Sequence, residues 1–272
     1  MLRDVFERTW GARAGARQAE EYWRSIIAAV KRTRPDFKFI AEAYWDLEWE
    51  LQQQGFDFCY DKKLYDRMEH GPAESVRQHL LADYSYQRGM IRFIENHDEP
   101  RAAATFPDGK GRAAAVAILT LPGARLLHEG QFEGWRVRLP VFLDRRPAET
   151  IDRDLADFYG RVLKATNRDL FRNGEWRLCE SSGWPDNQSC ENILAWCWVK
   201  DDERALVVVN YGQVPAQARV QVSWDELRGA AWRLHDGLSG DVYERDGNEM
   251  RDSGLYVDLK AWQCHVFQVR AL

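Results

Sequence analysis

The hydrophobic period changes once along this chain, near Phe171, and that change limits the folds open to it. Before it, helical and strand patterns alternate. Ala19, Tyr22, Trp23, Ile26, Ile27 and Val30 share one helical face, with Glu20, Glu21, Arg24 and Lys31 off it. Pro35 stops that helix. The apolar run Phe37 to Tyr44 (FKFIAEAY) reads as a buried strand, and Phe56 to Tyr60 (FDFCY) as another. A helix beginning near Pro72 carries Val76, Leu80 and Tyr84, and strand-like Met90 to Glu95 follows. An alanine-rich helix runs from about Arg112 to Pro122-Gly123, ahead of a fourth strand, Ala124 to His128. Beyond a long loop, Leu155, Phe158, Tyr159, Val162, Leu163 and Thr166 line one face of a further helix. Strand and helix repeated in this way imply a parallel sheet.

After Phe171 the runs become short and alternating: Ile193 to Val199, Ala205 to Asn210, Ala218 to Val222, Ala231 to His235, Leu255 to Leu259 and Cys264 to Val269. Turn signals separate them, among them Asn210-Tyr211-Gly212, Asp246-Gly247-Asn248 and Ser253-Gly254. This predicts an antiparallel β-sandwich of about 100 residues. The expected class is therefore α/β followed by all-β, divided as residues 1–171 and 172–272 with a short boundary at Phe171-Arg172-Asn173-Gly174.

Apolar residues make up 45% and charged residues 30%, which suits a soluble globular chain and excludes a disordered one. No run approaches the ~20 apolar residues of a membrane helix. A net charge of −5 argues against a nucleic-acid partner, which needs a basic footprint. Five cysteines, odd in number and without paired CxxC spacing, read as small buried hydrophobes and name no metal ligand. Met1 to Trp10 has no apolar core of a signal peptide, so a cytoplasmic setting is expected.

In parallel α/β folds the chemistry sits at the carboxyl ends of the strands. Here those ends read Glu42-Ala43-Tyr44-Trp45, Tyr60-Asp61-Lys62, Glu95-Asn96-His97-Asp98-Glu99 and His128-Glu129-Gly130-Gln131. Every end carries a carboxylate, and two of them adjoin a histidine. Glu42 falls inside an apolar run, and burial would raise its pKa toward what a general acid needs. Asn96-His97-Asp98 places two donors and an acidic acceptor on one turn, suited to sugar hydroxyls and to a developing positive charge. The plainer reading is a turn in which Asn96 and Asp98 bond their own backbone.

Phe93-Ile94-Glu95-Asn96-His97-Asp98 resembles the alpha-amylase family signature at the end of the seventh strand of a (β/α)8 barrel. Phe39-Ile40-Ala41-Glu42-Ala43-Tyr44 is similar to the segment after the fifth strand, which carries that family's acid/base glutamate. Order, spacing and the β-sandwich tail agree. The resemblance implies Glu42 as general acid/base, Asp98 as transition-state stabiliser, and His97 as a sugar ligand. It implies Asn96, Tyr44 and Trp45 as further substrate contacts, with Trp49, Trp135 and Arg136 as candidates to line the cleft. The implied substrate is an alpha-glucan or maltooligosaccharide. No cofactor is implied; family members often bind calcium, but no ligand for it is named here.

A whole barrel of about 250 residues plus a sandwich exceeds a chain of 272 residues. The family's Gly-x-Arg-x-Asp motif, which carries the nucleophile, is not found. The expectation is a half-barrel of four strands plus the sandwich, with weak or no hydrolysis alone. Three readings stay open: a hydrolase or transglycosylase or its fragment, a sugar- or partner-binding half-barrel, and one chain of a split enzyme. Bare sheet edges favour assembly, as a twofold homodimer or with a complementing N-terminal half. In a homodimer, Glu129 would stand where the missing fourth strand presents its nucleophile.

Overall fold

The computed structural model describes residues 3–13, 19–44, 46–140, 142 and 145–272. Its first sheet has four parallel strands in chain order: β1 (Ile40–Ala41), β2 (Phe58–Tyr60), β3 (Met90–Arg92) and β4 (Ala124–Arg125). Ile40 pairs with Phe58, Cys59 with Met90 and Ile91 with Ala124. Helices α1 (Arg3–Trp10) and α2 (Tyr22–Thr33) precede β1, and α3 (Glu48–Gln53) joins β1 to β2. Then α4 (Lys62–His70), α5 (Ala73–Leu80) and α6 (Tyr84–Arg88) separate β2 from β3. Next, α7 (Ala102–Thr105) and α8 (Asp108–Thr120) separate β3 from β4, which α9 (Arg153–Thr166) and α10 (Leu170–Asn173) follow.

The parallel sheet matches the sequence pattern, while its details differ. The run Phe37 to Tyr44 supplies only two ladder residues, and Ile40 is 55% exposed, because β1 is a sheet edge. Helix α2 buries only Ile27 of its apolar face. It packs on the turn before β2, with Trp23 against Phe56 at 5.6 Å between ring centroids and Ile27 over Gly55. The helix expected from Pro72 through Tyr84 is two helices, α5 and α6. An additional helix, α4, begins where the Asp61 side chain accepts from the Leu64 amide at 3.0 Å. Gly123, with φ of 104°, turns α8 into β4 so closely that a Cβ there would lie 2.2 Å from the Met90 carbonyl oxygen. Only glycine fits.

The remaining strands form two antiparallel sheets. The larger runs β11 (Val242–Asp246), β10 (Ala231–Asp236), β13 (Cys264–Ala271), β8 (Glu203–Asn210), β7 (Ile193–Lys200), β5 (Glu175–Cys179). The smaller runs β12 (Leu255–Leu259), β9 (Ala216–Val220), β6 (Ser181–Ser182). The sequence pattern missed β5, β6 and β11: each is an edge strand, where polar residues are tolerated on both faces. A short helix, α11 (Gly247–Asp252), replaces the turn expected at Asp246-Gly247-Asn248, capped by Asp246 on the Glu249 amide at 2.9 Å.

Strand β7 explains how the parts are joined. Ile193, Ala195 and Cys197 face the smaller sheet and share a core with Ala218, Leu255 and Val257. Leu194, Trp196 and Trp198 face the other way, into one core with Tyr65, Ile118 and Phe171. That core crosses residue 171. Buried hydrogen bonds cross it too: Trp198 Nε1 donates to the Thr120 carbonyl at 2.8 Å, and Tyr211 Oη to the Met68 carbonyl at 2.7 Å. Trp198→Ala removes a fully buried ring and orphans the Thr120 oxygen. A loss of about 3–5 kcal/mol in urea-unfolding stability is expected. A loss below ~1 kcal/mol would mean that this junction does not hold the sheets together.

Candidate active site

Strand β2 lies between β1 and β3, so residues just past the carboxyl ends of β1 and β3 flank its last residue, Tyr60. Glu42 follows β1 directly. Asn96, His97 and Asp98 follow β3 after the buried pair Phe93 and Ile94. The Glu42 and Asp98 carboxylates and the His97 imidazole offer atoms that all lie within 4.8 Å of one another. His97 Nε2 is 3.4 Å from Asp98 Oδ2. All three side chains are exposed, which corrects the expectation of a buried Glu42. Among the described residues β1 is an edge strand, with no strand on its outer side, and the carboxylate past its end keeps its water.

Two phenols frame the cluster. Tyr44 Oη donates to Glu42 Oε1 at 2.8 Å. Burial, then that bond and the charges of Glu42, Asp98 and Glu99, hold its pKa above the usual value. Burial, then Glu42 and Asp98, does the same for half-buried Tyr60. Both remain hydroxyl donors at neutral pH. Tyr60 was not among the expected site residues; its place at the end of the strand between the two carboxylates was the available signal. Asn96 is buried, and its Oδ1 accepts from the Asp98 and Glu99 amides at 2.9 and 2.8 Å. It shapes the turn that presents His97 and Asp98. Its buried Nδ2 has no hydrogen-bond partner. Trp45 lies outside the described residues.

The other strand-end carboxylates do not join this cluster. Asp61 is fully buried, held by Arg92 and by His79 Nε2 at 3.0 Å. Glu129 is exposed and paired with Arg146, whose guanidinium lies 3.8 Å over the Trp135 ring. Glu95 is buried; it accepts from the Ala102 amide at 2.5 Å and has Arg101 Nη2 at 2.9 Å as an ion-pair partner. Burial pushes the Glu95 carboxyl up to about 7, against the Ala102 bond and the Arg101 charge. Arg101 also reaches His128 Nδ1 at 3.0 Å and the Glu129 carbonyl at 2.7 Å, tying the ends of β3 and β4 together. Of the other cleft candidates, Trp49 turns instead to Tyr86 at 6.3 Å, and the Arg136 amide donates to Glu149 at 2.6 Å. A groove of about 520 Å³ runs past Tyr44, Lys62, Asp66 and Glu99.

This arrangement can protonate and deprotonate through Glu42, hydrogen-bond hydroxyls through Tyr44, Tyr60 and His97, and oppose positive charge through Asp98. Among the described residues, Glu42, His97 and Asp98 form one of two groups with metal-ligand spacing; Asp66, Glu69 and His70 form the other. Also among the described residues, no helix is long and apolar enough to cross a membrane.

No protein-family profile matches the chain. It is similar to the alpha-amylase MalA of Haloarcula japonica, 24% identical over 248 residues, covering 85% of this chain and 37% of that protein. Among solved structures it is similar to a noncanonic maltogenic alpha-amylase, AmyB, from Thermotoga neapolitana. There the TM-score is 0.73 at 18% identity, over 94% of this chain and 60% of that one. An Anoxybacillus alpha-amylase gives 0.70 at 14% identity, over 91% of this chain and 55% of that one. The chain thus spans little more than a third of that curated relative and 55–60% of these structures. Over that span it resembles alpha-amylase-family glycoside hydrolases in sequence and shares their fold.

Proposed function

We propose that this chain provides the acid/base side of an alpha-amylase-type retaining active site for alpha-glucans, with the nucleophile supplied by a half-barrel outside residues 1–272. Residues 1–171 would be half of a (β/α)8 barrel and residues 172–272 a β-sandwich. The observation that carries this reading is the convergence of Glu42, His97 and Asp98 past the ends of β1 and β3. In these roles Glu42 protonates the leaving oxygen and then activates water, Asp98 opposes the oxocarbenium-like charge, and His97 and Tyr44 hold sugar hydroxyls. Asn96 holds the turn.

Among the described residues both edges of the parallel sheet lack a strand partner, and Ile40 on the first is exposed. A completed barrel would cover both. An N-terminal half-barrel is the first candidate for that role, and a second copy of the chain the other. Light scattering separates them: a monomer that dimerises only with added N-terminal half supports the first. The chain alone is expected to hydrolyse maltooligosaccharides weakly or not at all, since a retaining mechanism needs a nucleophile about 5–5.5 Å from the acid/base. Mixing it with a polypeptide equivalent to the part of MalA that it does not span should raise turnover. If the chain alone turns over within the usual ~1–10³ s⁻¹ range, the nucleophile is in this chain. Sugar binding without turnover in any mixture favours a carbohydrate-binding half-barrel, the reading that the exposed sheet edge also allows.

A further inference from the structure

The larger antiparallel sheet contains a second chemically distinct place, far from Glu42 in the sequence. Strands β5 and β7 pair with Arg177 opposite Cys197 and Cys179 opposite Ala195. Cys179 and Cys197 are therefore diagonal neighbours on one face of adjacent strands, and both belong to the same core. Both also line one cavity of about 490 Å³, between the edge strand β5 and the segment Gln221–Glu226. Both are free thiols, and among the described residues there is no disulfide. Two further groups face the same cavity. Trp224 is buried, and its indole N–H is turned toward Cys197. Arg177 is exposed at the rim.

We propose that Cys179 and Cys197 form an oxidisable dithiol, in which a hydroperoxide entering this cavity converts the pair to a disulfide. Cys197 is the attacking thiol. Arg177 stands directly opposite it in the strand register and the Trp224 indole N–H is turned to it, and these neighbours favour its thiolate against burial. The Cys197 thiolate attacks the peroxide, so that an S–O bond forms as the O–O bond breaks. The departing hydroxide takes a proton to leave as water, or as an alcohol from an alkyl hydroperoxide. The Cys179 sulfur then attacks the Cys197 sulfenic sulfur. An S–S bond forms, the S–O bond breaks, and the second oxygen leaves as water with the Cys179 proton. Two thiols are oxidised and one peroxide is reduced.

Diagonal neighbours start about 7–8 Å apart at their α-carbons, at or beyond the limit for a relaxed disulfide. Closure therefore draws β5 inward, which is feasible because β5 is the last strand of its sheet. A disulfide made in this way is more readily reduced than a structural one. Elsewhere, Cys59 contacts the Glu48 carbonyl at 3.4 Å, and Cys264 the Trp262 carbonyl at 3.6 Å.

The test treats the folded chain with hydrogen peroxide, blocks remaining thiols, digests without reduction and maps the peptides. The expected result is a Cys179–Cys197 link, loss of two free thiols of the five, and recovery of both with a mild thiol. In Cys179→Ser, Cys197 should be trapped as a dimedone-reactive sulfenic acid; in Cys197→Ser, Cys179 should stay reduced. Arg177→Ala, on an exposed side chain that leaves the core intact, should slow link formation by roughly threefold or more, since cationic neighbours favour the thiolate. Oxidation spread over Cys59, Cys190 and Cys264 before the link forms would overturn the proposal. So would a link that appears only in urea.

Discussion

Arg92→Ala is expected to cost about 3–5 kcal/mol, the usual consequence of breaking a buried ion pair. Against a total of about 5–15 kcal/mol for a domain, that approaches loss of the fold. Arg92 ends β3 with its side chain fully buried. Its guanidinium pairs with Asp61, donates to the Pro122 carbonyl at 3.0 Å and the Gln87 carbonyl at 3.2 Å, and meets Gln87 Oε1. Burial lowers its pKa to about 9, which still leaves it charged at neutral pH. Asp61 has one other side-chain partner, His79, whose imidazole burial pushes down to about 4. The Asp61 charge is already engaged by Arg92, so burial governs His79, which is neutral and donates from Nε2. Without Arg92, a carboxylate would sit in the core with only neutral donors, His79 and the Leu64 amide. Urea unfolding of Arg92→Ala measures the loss. The double variant Arg92→Met, Asp61→Asn removes both charges while keeping an amide oxygen to cap α4, and should recover at least half of it. A single-variant loss under ~1 kcal/mol would mean that water reaches Asp61.

The same network shows what sequence reading can and cannot deliver. Alternation and strand-end position were enough to bring Glu42, His97 and Asp98 to notice, because a carboxylate after an apolar run is a local signal. The fate of each carboxylate was not local. Asp61 stands at a strand end as Glu42 does, yet Arg92, which consumes it, lies 31 residues on and reaches it only through β2–β3 pairing. Glu95 meets Arg101 through the turn into α7, a contact that no period announces. The burial expected of Glu42 failed because an apolar run says nothing about whether its strand has a neighbour on both sides. Strand ends were overread for a related reason: Phe37 to Tyr44 is apolar enough for eight ladder positions, but parallel pairing holds only while β2 runs beside it. In the antiparallel part, Leu255–Leu259 was legible to the residue because it buries every second side chain. Strand β5 was not, since its cavity-facing Glu175 and Arg177 break the pattern. Cys179 and Cys197 are 18 positions apart, and only the β5–β7 register makes them neighbours.

In the chain complemented by an N-terminal half, Glu42→Gln is expected to lower kcat/KM on maltooligosaccharides by about 10²–10⁴-fold, the range for loss of a general acid/base. Glutamine keeps the size of the side chain and an oxygen for the Tyr44 hydroxyl, which now donates at 2.8 Å. Stability should therefore barely move while proton transfer is lost. Asp98→Asn should cost a comparable factor for a different reason, because it removes negative charge opposite the oxocarbenium-like centre. The two roles separate with the leaving group. From a 4-nitrophenyl maltooligosaccharide the nitrophenolate departs as a stable anion and needs no proton. Its bond cleavage should be slowed little by Glu42→Gln, though turnover then stalls at hydrolysis of the glycosyl intermediate, visible as a burst of nitrophenolate. Asp98→Asn should slow the burst itself, since charge develops at the sugar whatever departs. Equal slowing of the burst by both variants would remove Glu42 from the acid role. A complemented enzyme indifferent to Glu42→Gln on every substrate would assign proton transfer to another group at these strand ends. His128, partly exposed beside the Glu95–Arg101 pair with a lowered imidazole pKa, would be the next to replace.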